Sequence, residues 1–147
     1  GYKQYEISNF CRKDKFALHN TSYWEDKIYL GIGSSAHSYN GESRRWNISN
    51  NLKYITFINS GEKYFDEEIL SINQKYNEYT LTSLRTIWGV SLDYLENNFD
   101  KMITSHFKKN SRKWIENENA ILENNSLKLT NKGMLFADAI SSDLFII

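Results

Sequence analysis

The chain changes its hydrophobic pattern once, near Gly61, and that change does most to limit what it can fold into. Upstream, Gln4 to Ile7 and Ile28 to Ile32 are short β-prone runs rich in Tyr, Ile and Leu. Each is followed by a polar loop containing glycine or asparagine, as strands of a parallel sheet are followed by theirs. Arg45 to Ile48 adds a third short run. Asn51 to Ser60 then carries Leu52, Ile55, Phe57 and Ile58 at helical spacing, and Gly61 offers the C-terminal cap. A parallel sheet needs neighbouring strands and covering helices on both faces, which about sixty residues do not supply. Residues 1–61 therefore read as one incomplete half.

Residues 62–147 read as helical. Ile72 to Trp88 sets Tyr76, Tyr79, Leu84, Ile87 and Trp88 along one stripe and stops at Gly89. Ser91 caps a short helix holding Leu92, Leu95 and Phe99. Met102 to Glu116 shows an apolar face of Ile103, Phe107, Trp114 and Ile115 opposite a Lys/Arg-rich one. Ala120 to Leu122 and Leu127 to Leu129 flank Asn124-Asn125-Ser126, a hairpin signal. Thr130 then caps one closing helix through Phe136, Ala137 and Ile140. Helix, helix, hairpin, helix is a winged-helix-like outline.

Composition excludes several classes. The 147 residues hold 18 basic and 18 acidic side chains, so no net charge marks a nucleic-acid partner. Apolar runs of a few residues cannot span a bilayer, although peripheral association with a membrane stays compatible. No basic segment followed by an apolar one opens the chain, so no secretory signal is expected. Cys11 is the single cysteine, which allows no internal disulfide and no multi-cysteine metal site. A cytoplasmic protein follows as the expectation. Proline is absent, and boundaries must be read from Gly, Asn and Asp.

Candidate chemistry concentrates between Tyr5 and Asn47. Gly31-x-Gly33-x-x-Ala36 after an apolar run invites a dinucleotide reading. No Asp or Glu lies between Ser43 and Gly61 to take the ribose hydroxyls, so the reading fails. The glycines instead let backbone approach a ligand or a neighbouring strand closely. An isolated histidine such as His19 or His37 is more often a satisfied structural residue than a ligand. Glu6, in a buried-looking run, is either a site residue or half of an ion pair with Arg44 or Arg45. The Lys108-Lys109 and Arg112-Lys113 pairs read as a solvated helix face, with Glu116 and Glu118 close behind. A winged-helix nucleic-acid module is the alternative from another class. It lacks a recognition helix with base-reading Arg, Asn or Gln.

Four strings carry a family resemblance: Tyr5-Glu6-Ile7-Ser8-Asn9-Phe10, His19-Asn20-x-x-Tyr23-Trp24, Tyr29-Leu30-Gly31-Ile32-Gly33-x-x-Ala36-His37-Ser38-Tyr39, and Arg44-Arg45-Trp46-Asn47. With the closing Leu129-Thr130-x-x-Gly133, they resemble the C-terminal part of oxygen-independent coproporphyrinogen III oxidase-like radical S-adenosylmethionine proteins, and more narrowly the haem-chaperone branch. The resemblance implies an α/β fold, α+β as isolated, in which residues 1–61 are the last strands of a partial (β/α) barrel. Residues 62–147 are then a helical, winged-helix-like C-terminal domain. It also implies that a Cys-x-x-x-Cys-x-x-Cys motif for a 4Fe-4S cluster lies upstream, so that the chain alone performs no radical chemistry and holds no cofactor firmly.

Carried over by position, Asn20, Thr21, Gly31, Gly33 and His37 are expected at the S-adenosylmethionine site. His19 is the hypothetical haem-iron ligand, with Tyr23 and Trp24 stacking on the porphyrin. Leu18 replaces the branch's usual arginine, and Ser34-Ser35 replaces a Pro-Gly pair. The chaperone reading has haem and haem-acceptor proteins as partners. The alternative is oxidative decarboxylation of coproporphyrinogen propionates. The oligomeric state is not encoded legibly, although an unpaired edge at Gln4 to Ile7 would offer a second copy a place to pair.

Overall fold

A computed structural model of the chain describes residues 1–24 and 27–147, with the backbone alone at Tyr23. It divides into two compact units, one of Gly1–Glu25 with Ile72–Ile147 and one of Asp26–Ser71. The units thus do not follow the change of pattern at Gly61.

The first unit opens with β1 (Lys3–Glu6) and β2 (Asn9–Cys11), an antiparallel pair rather than parallel strands. The Glu6 carboxylate accepts hydrogen bonds from Ser8 N at 2.9 Å and Asn9 Nδ2 at 2.5 Å, which fixes the turn between them. The other edge of β1 is covered as well. Ile7 N donates to Arg85 O and Ile87 N to Tyr5 O, both at 3.0 Å. The free edge expected at Gln4 to Ile7 is therefore not free. The same pairing explains why α3 (Ile72–Leu84) stops four residues before the expected Trp88. Backbone groups at 85–87 serve β1 instead of the helix ladder, as the Glu6↔Thr86 bridge shows.

α1 (Leu18–Trp24) follows the β1–β2 pair. Beyond α3 come β6 (Val90–Ser91), α4 (Leu92–Asn98), α5 (Lys101–Glu116), β7 (Ala120–Glu123), β8 (Ser126–Leu129), α6 (Asn131–Met134) and α7 (Ala137–Leu144). Local signals hold here. Ser91 Oγ accepts from Tyr94 N and caps α4, and Asp100 Oδ1 accepts from Ile103 N and caps α5. Asn124 and Asn125 sit at φ 50° and 56°, the left-handed pair that a tight hairpin turn demands. The sheet order is β6-β8-β7, antiparallel throughout. The closing helix is broken into α6 and α7 at Leu135 and Phe136. Gly133 packs so closely on the residue preceding β7 that a Cβ there would lie 1.8 Å from Asn119 O. Tyr76, Leu84, Val90, Leu95, Ile103, Phe107, Leu127, Ile140 and Leu144 form one core, each at most 2% exposed.

The second unit is a three-stranded antiparallel sheet with order β3-β4-β5, built from β3 (His37–Tyr39), β4 (Ser43–Asn47) and β5 (Phe65–Ile69). α2 (Asn51–Ser60) connects β4 to β5, capped by Asn50 and by Gly61 at φ 72° as its sequence predicts. Ile28 to Ile32 is not a strand. It makes one bridge, Tyr29↔Tyr39, and leaves Ile28, Leu30 and Ile32 at 73, 76 and 85% exposure. A lone apolar run becomes a strand only where a second backbone pairs along it. β5 was not legible because Asp66, Glu67 and Glu68 break its apolar pattern. Its cross-strand partners are Trp46, Arg45 and Arg44, so opposite charges meet in register. Among the described residues, no helix is long and apolar enough to cross a membrane.

Candidate functional site

In the first unit, the site residues stand on α1 beside a polar knot. Glu6 is buried at 1% exposure, and Arg85 Nε donates to its Oε1 at 3.1 Å. The partner expected from sequence, Arg44 or Arg45, is thus replaced by Arg85, a residue 79 positions away. The Arg85 guanidinium also lies 5.8 Å from the Trp24 ring and reaches Asp138 at 3.5 Å. Trp24 is half-buried, and its indole N–H finds no partner among the described residues. Tyr5, Phe16 and Trp88 make edge-to-face contacts at 5.2 to 6.3 Å, and Tyr5 Oη accepts from Ala17 N. This packing fixes the start of α1.

His19 is exposed on α1 and stands next to Leu18, itself 82% exposed. Asn20 Nδ2 donates to Asn9 Oδ1 at 3.3 Å. Thr21 is buried, with Oγ1 donating to Ala17 O at 3.0 Å. The side chain of Tyr23 lies outside what the structure describes. Of the expected haem set, His19 is exposed, whereas Trp24 is half-buried with the Arg85 guanidinium 5.8 Å from its ring.

In the second unit, Asn47 organises the glycine segment. It is buried, and its Nδ2 donates to Gly33 O at 2.8 Å and Gly31 O at 3.5 Å. Gly31 N donates to Ser38 Oγ at 2.9 Å, and Gly33 N donates to Tyr54 Oη at 3.2 Å. A Cβ on Gly31 would stand 2.1 Å from His37 O, so this glycine is required by the neighbouring strand. Gly33 sits at φ 105° with open space around its Cα, a conformation that only glycine adopts readily. His37 is exposed, and its ring lies 6.5 Å from that of Trp46 across the β3–β4 register. Sequence reasoning missed Glu67. Its carboxyl is held below the usual range first by the Ser43 hydroxyl, which donates at 2.7 Å, and then by the charges of Arg45 and Lys63.

The chain's residues do not fit a 4Fe-4S site. Such a cluster needs several thiolates, and Cys11, the one cysteine, is buried. Among the described residues, no three His, Cys, Asp or Glu side chains gather as a metal set. The donors of Asn20 and Thr21 and the amides of Gly31 and Gly33 are all engaged by the chain itself.

The architecture defines a mixed helix-and-sheet class with a winged-helix-like helical module. The same architecture appears in the solved structure titled "Coproporphyrinogen III oxidase (HemN) from Escherichia coli is a Radical SAM enzyme". It matches with a TM-score of 0.72 at 18% identity over 99% of this chain and 37% of that one. No family model matches the chain. Among curated proteins, it is 28% identical over 141 residues to the Heme chaperone HemW of Bacillus subtilis. It is 31% identical over 147 residues to a Putative heme chaperone HemW-like protein of Buchnera aphidicola. Both matches cover 95% of this chain, which spans 37% of the length of each relative. The resemblance drawn from its residues is borne out. The chain matches the coproporphyrinogen III oxidase-like radical S-adenosylmethionine proteins, on the side of those named haem chaperones.

Proposed function

We propose that the whole protein binds haem and passes it to acceptor proteins in the cytoplasm. The observation that carries this reading is the similarity, over 95% of the chain, to relatives named haem chaperones. His19 supports it from the structure, as an exposed imidazole on a short helix anchored by the Glu6–Arg85 pair. Imidazole is a common axial ligand to haem iron, and an accessible one suits a cargo that must leave again. Tyr23 is assigned to the same site by its place in the sequence motif alone. Trp24 acts there as a packed support rather than as a stacking surface.

In the whole protein, we read residues 1–61 as the end of the radical S-adenosylmethionine barrel and 62–147 as its C-terminal domain. Asn20, Thr21, Gly31, Gly33 and His37 are assigned to the surroundings of S-adenosylmethionine, and the cluster to cysteines other than Cys11. That cofactor pair supplies one-electron chemistry when bound. The part of this chain is to hold backbone shape through Asn47 and the glycines.

The test is a haem titration followed by the Soret band, run on the protein and on His19→Ala. A saturable Soret shift weakened about tenfold or more in the variant supports the reading, since one lost ligand of about 1.4 kcal/mol or more has that effect. Equal affinity in both would reject His19 as the iron ligand. If the protein converts coproporphyrinogen instead, product analysis under reducing conditions with S-adenosylmethionine will show vinyl groups formed from propionates.

A further inference from the structure

A groove in the first unit serves none of these roles. It runs between α5 and the β7–β8 hairpin and has a volume of about 370 Å³. Its floor is Leu92, Phe107 and Leu127, all buried, and its walls are Ile115 and the exposed Leu122. Lys108 and Arg112 stand at its rim, one turn apart on α5. Lys108 is tied to Glu96 at 2.6 Å, whereas Arg112 makes no ion pair among the described residues. Nothing that lines the groove ligates iron, because it contains no His, Cys, Met or Tyr.

An apolar trough closed on one side by two cations selects a ligand with an apolar edge opposite two adjacent carboxylates. A porphyrin is built this way, with methyl and vinyl groups on one edge and two propionates on the other. We propose that this groove binds the apolar edge of a porphyrin through Leu92, Phe107, Ile115, Leu122 and Leu127, with the propionates on Lys108 and Arg112. The inference rests on the haem reading above and adds to it a contact that does not use the iron. The volume lies near the lower end of the 300–1,000 Å³ typical of ligand pockets, so the groove takes part of the macrocycle and not the whole of it. Two cations i and i+4 on a helix are neighbours. They match two carboxylates side by side better than a single one. Charge-assisted bonds at the rim would fix orientation, and burial of methyl and vinyl groups would supply affinity.

The experiment uses metal-free protoporphyrin IX as the probe, followed by fluorescence, with laurate as a monocarboxylate competitor and haem in parallel. Arg112→Glu and Leu122→Asp alter exposed side chains, and circular dichroism checks their fold. Each is expected to weaken protoporphyrin binding about tenfold or more. Glu96→Gln releases Lys108 and is expected to tighten it. Binding that ignores Arg112→Glu and Leu122→Asp would overturn the proposal, as would laurate displacing the probe at comparable concentration. If haem binds through His19 while protoporphyrin IX does not bind, the groove is excluded and the haem reading stands. If protoporphyrin binds in the groove while haem gives no Soret shift in any variant, the groove stands and His19 falls.

Discussion

The two units solve the same problem by different means. The first gathers nearly all the buried apolar side chains, from Tyr5 and Tyr76 to Ile140 and Leu144, into a packed interior. Among its described apolar residues the second buries only Tyr39 and Leu70, while Ile28, Leu30, Ile32, Leu52, Ile55 and Ile69 remain more than half exposed. Its shape comes from backbone pairing, the Asn47 bonds to the glycine segment and the Arg–Glu register between β4 and β5. Such contacts specify geometry well and stabilise weakly, because each replaces bonds to water. Hydrophobic burial is what stabilises a domain, so most of the stability of this chain belongs to the first unit.

The largest expected effect is Phe107→Ala, which empties the fully buried centre of the first core. It should cost about 3–5 kcal/mol in denaturant unfolding. Ile55→Ser, on a helix with no buried residue, should stay within about 0.5 kcal/mol. Equal losses for the two would break the comparison. Next comes Gly31→Ala, which drives a methyl against His37 O and should cost about 1–3 kcal/mol. Amide exchange at Tyr29 and Tyr39, whose N–H groups bond each other's carbonyls, should speed up. Unchanged protection there would show that the second unit absorbs the added methyl without loosening this pairing.

The smallest effect concerns Glu67 and sharpens the polar side of the contrast. Its folded pKa is depressed, so it binds protons less readily folded than unfolded. Its contribution is present above the usual glutamate value of about 4.3 and is lost as pH falls through the folded value. Ser43→Ala should raise the Glu67 titration midpoint in an NMR pH series. A midpoint that does not move would assign the depression to Arg45 and Lys63 alone.

Legibility followed distance along the chain. The helix at 51–60 with Asn50 and Gly61 at its ends, the Ser91 cap and the Asn124-Asn125 hairpin were all readable, because donor, acceptor and required φ lie within a few residues. His19 and His37 were legible as candidate residues from their place in the motifs, and both side chains are exposed. Asn47 was visible only as a letter in a motif. Its role in bonding Gly31 and Gly33 needs β4 to lie beside a segment some fifteen residues earlier.

By itself, the sequence determined the resemblance to the haem-chaperone relatives, the local caps and turns, and the mixture of short strands with a helical module. Those follow from chemistry between near neighbours and from motifs that keep their spacing. Only the tertiary structure decided that β1 pairs with β2 and with residues 85–87, that α3 therefore ends at Leu84, and that Glu6 meets Arg85 rather than Arg44 or Arg45. It also decided that Ile28 to Ile32 stays unpaired but for one bridge. The pairing of β1 with residues 85–87 and the Glu6–Arg85 contact are choices among distant partners, fixed by which surfaces are buried together, and no short window of sequence contains both halves of such a contact.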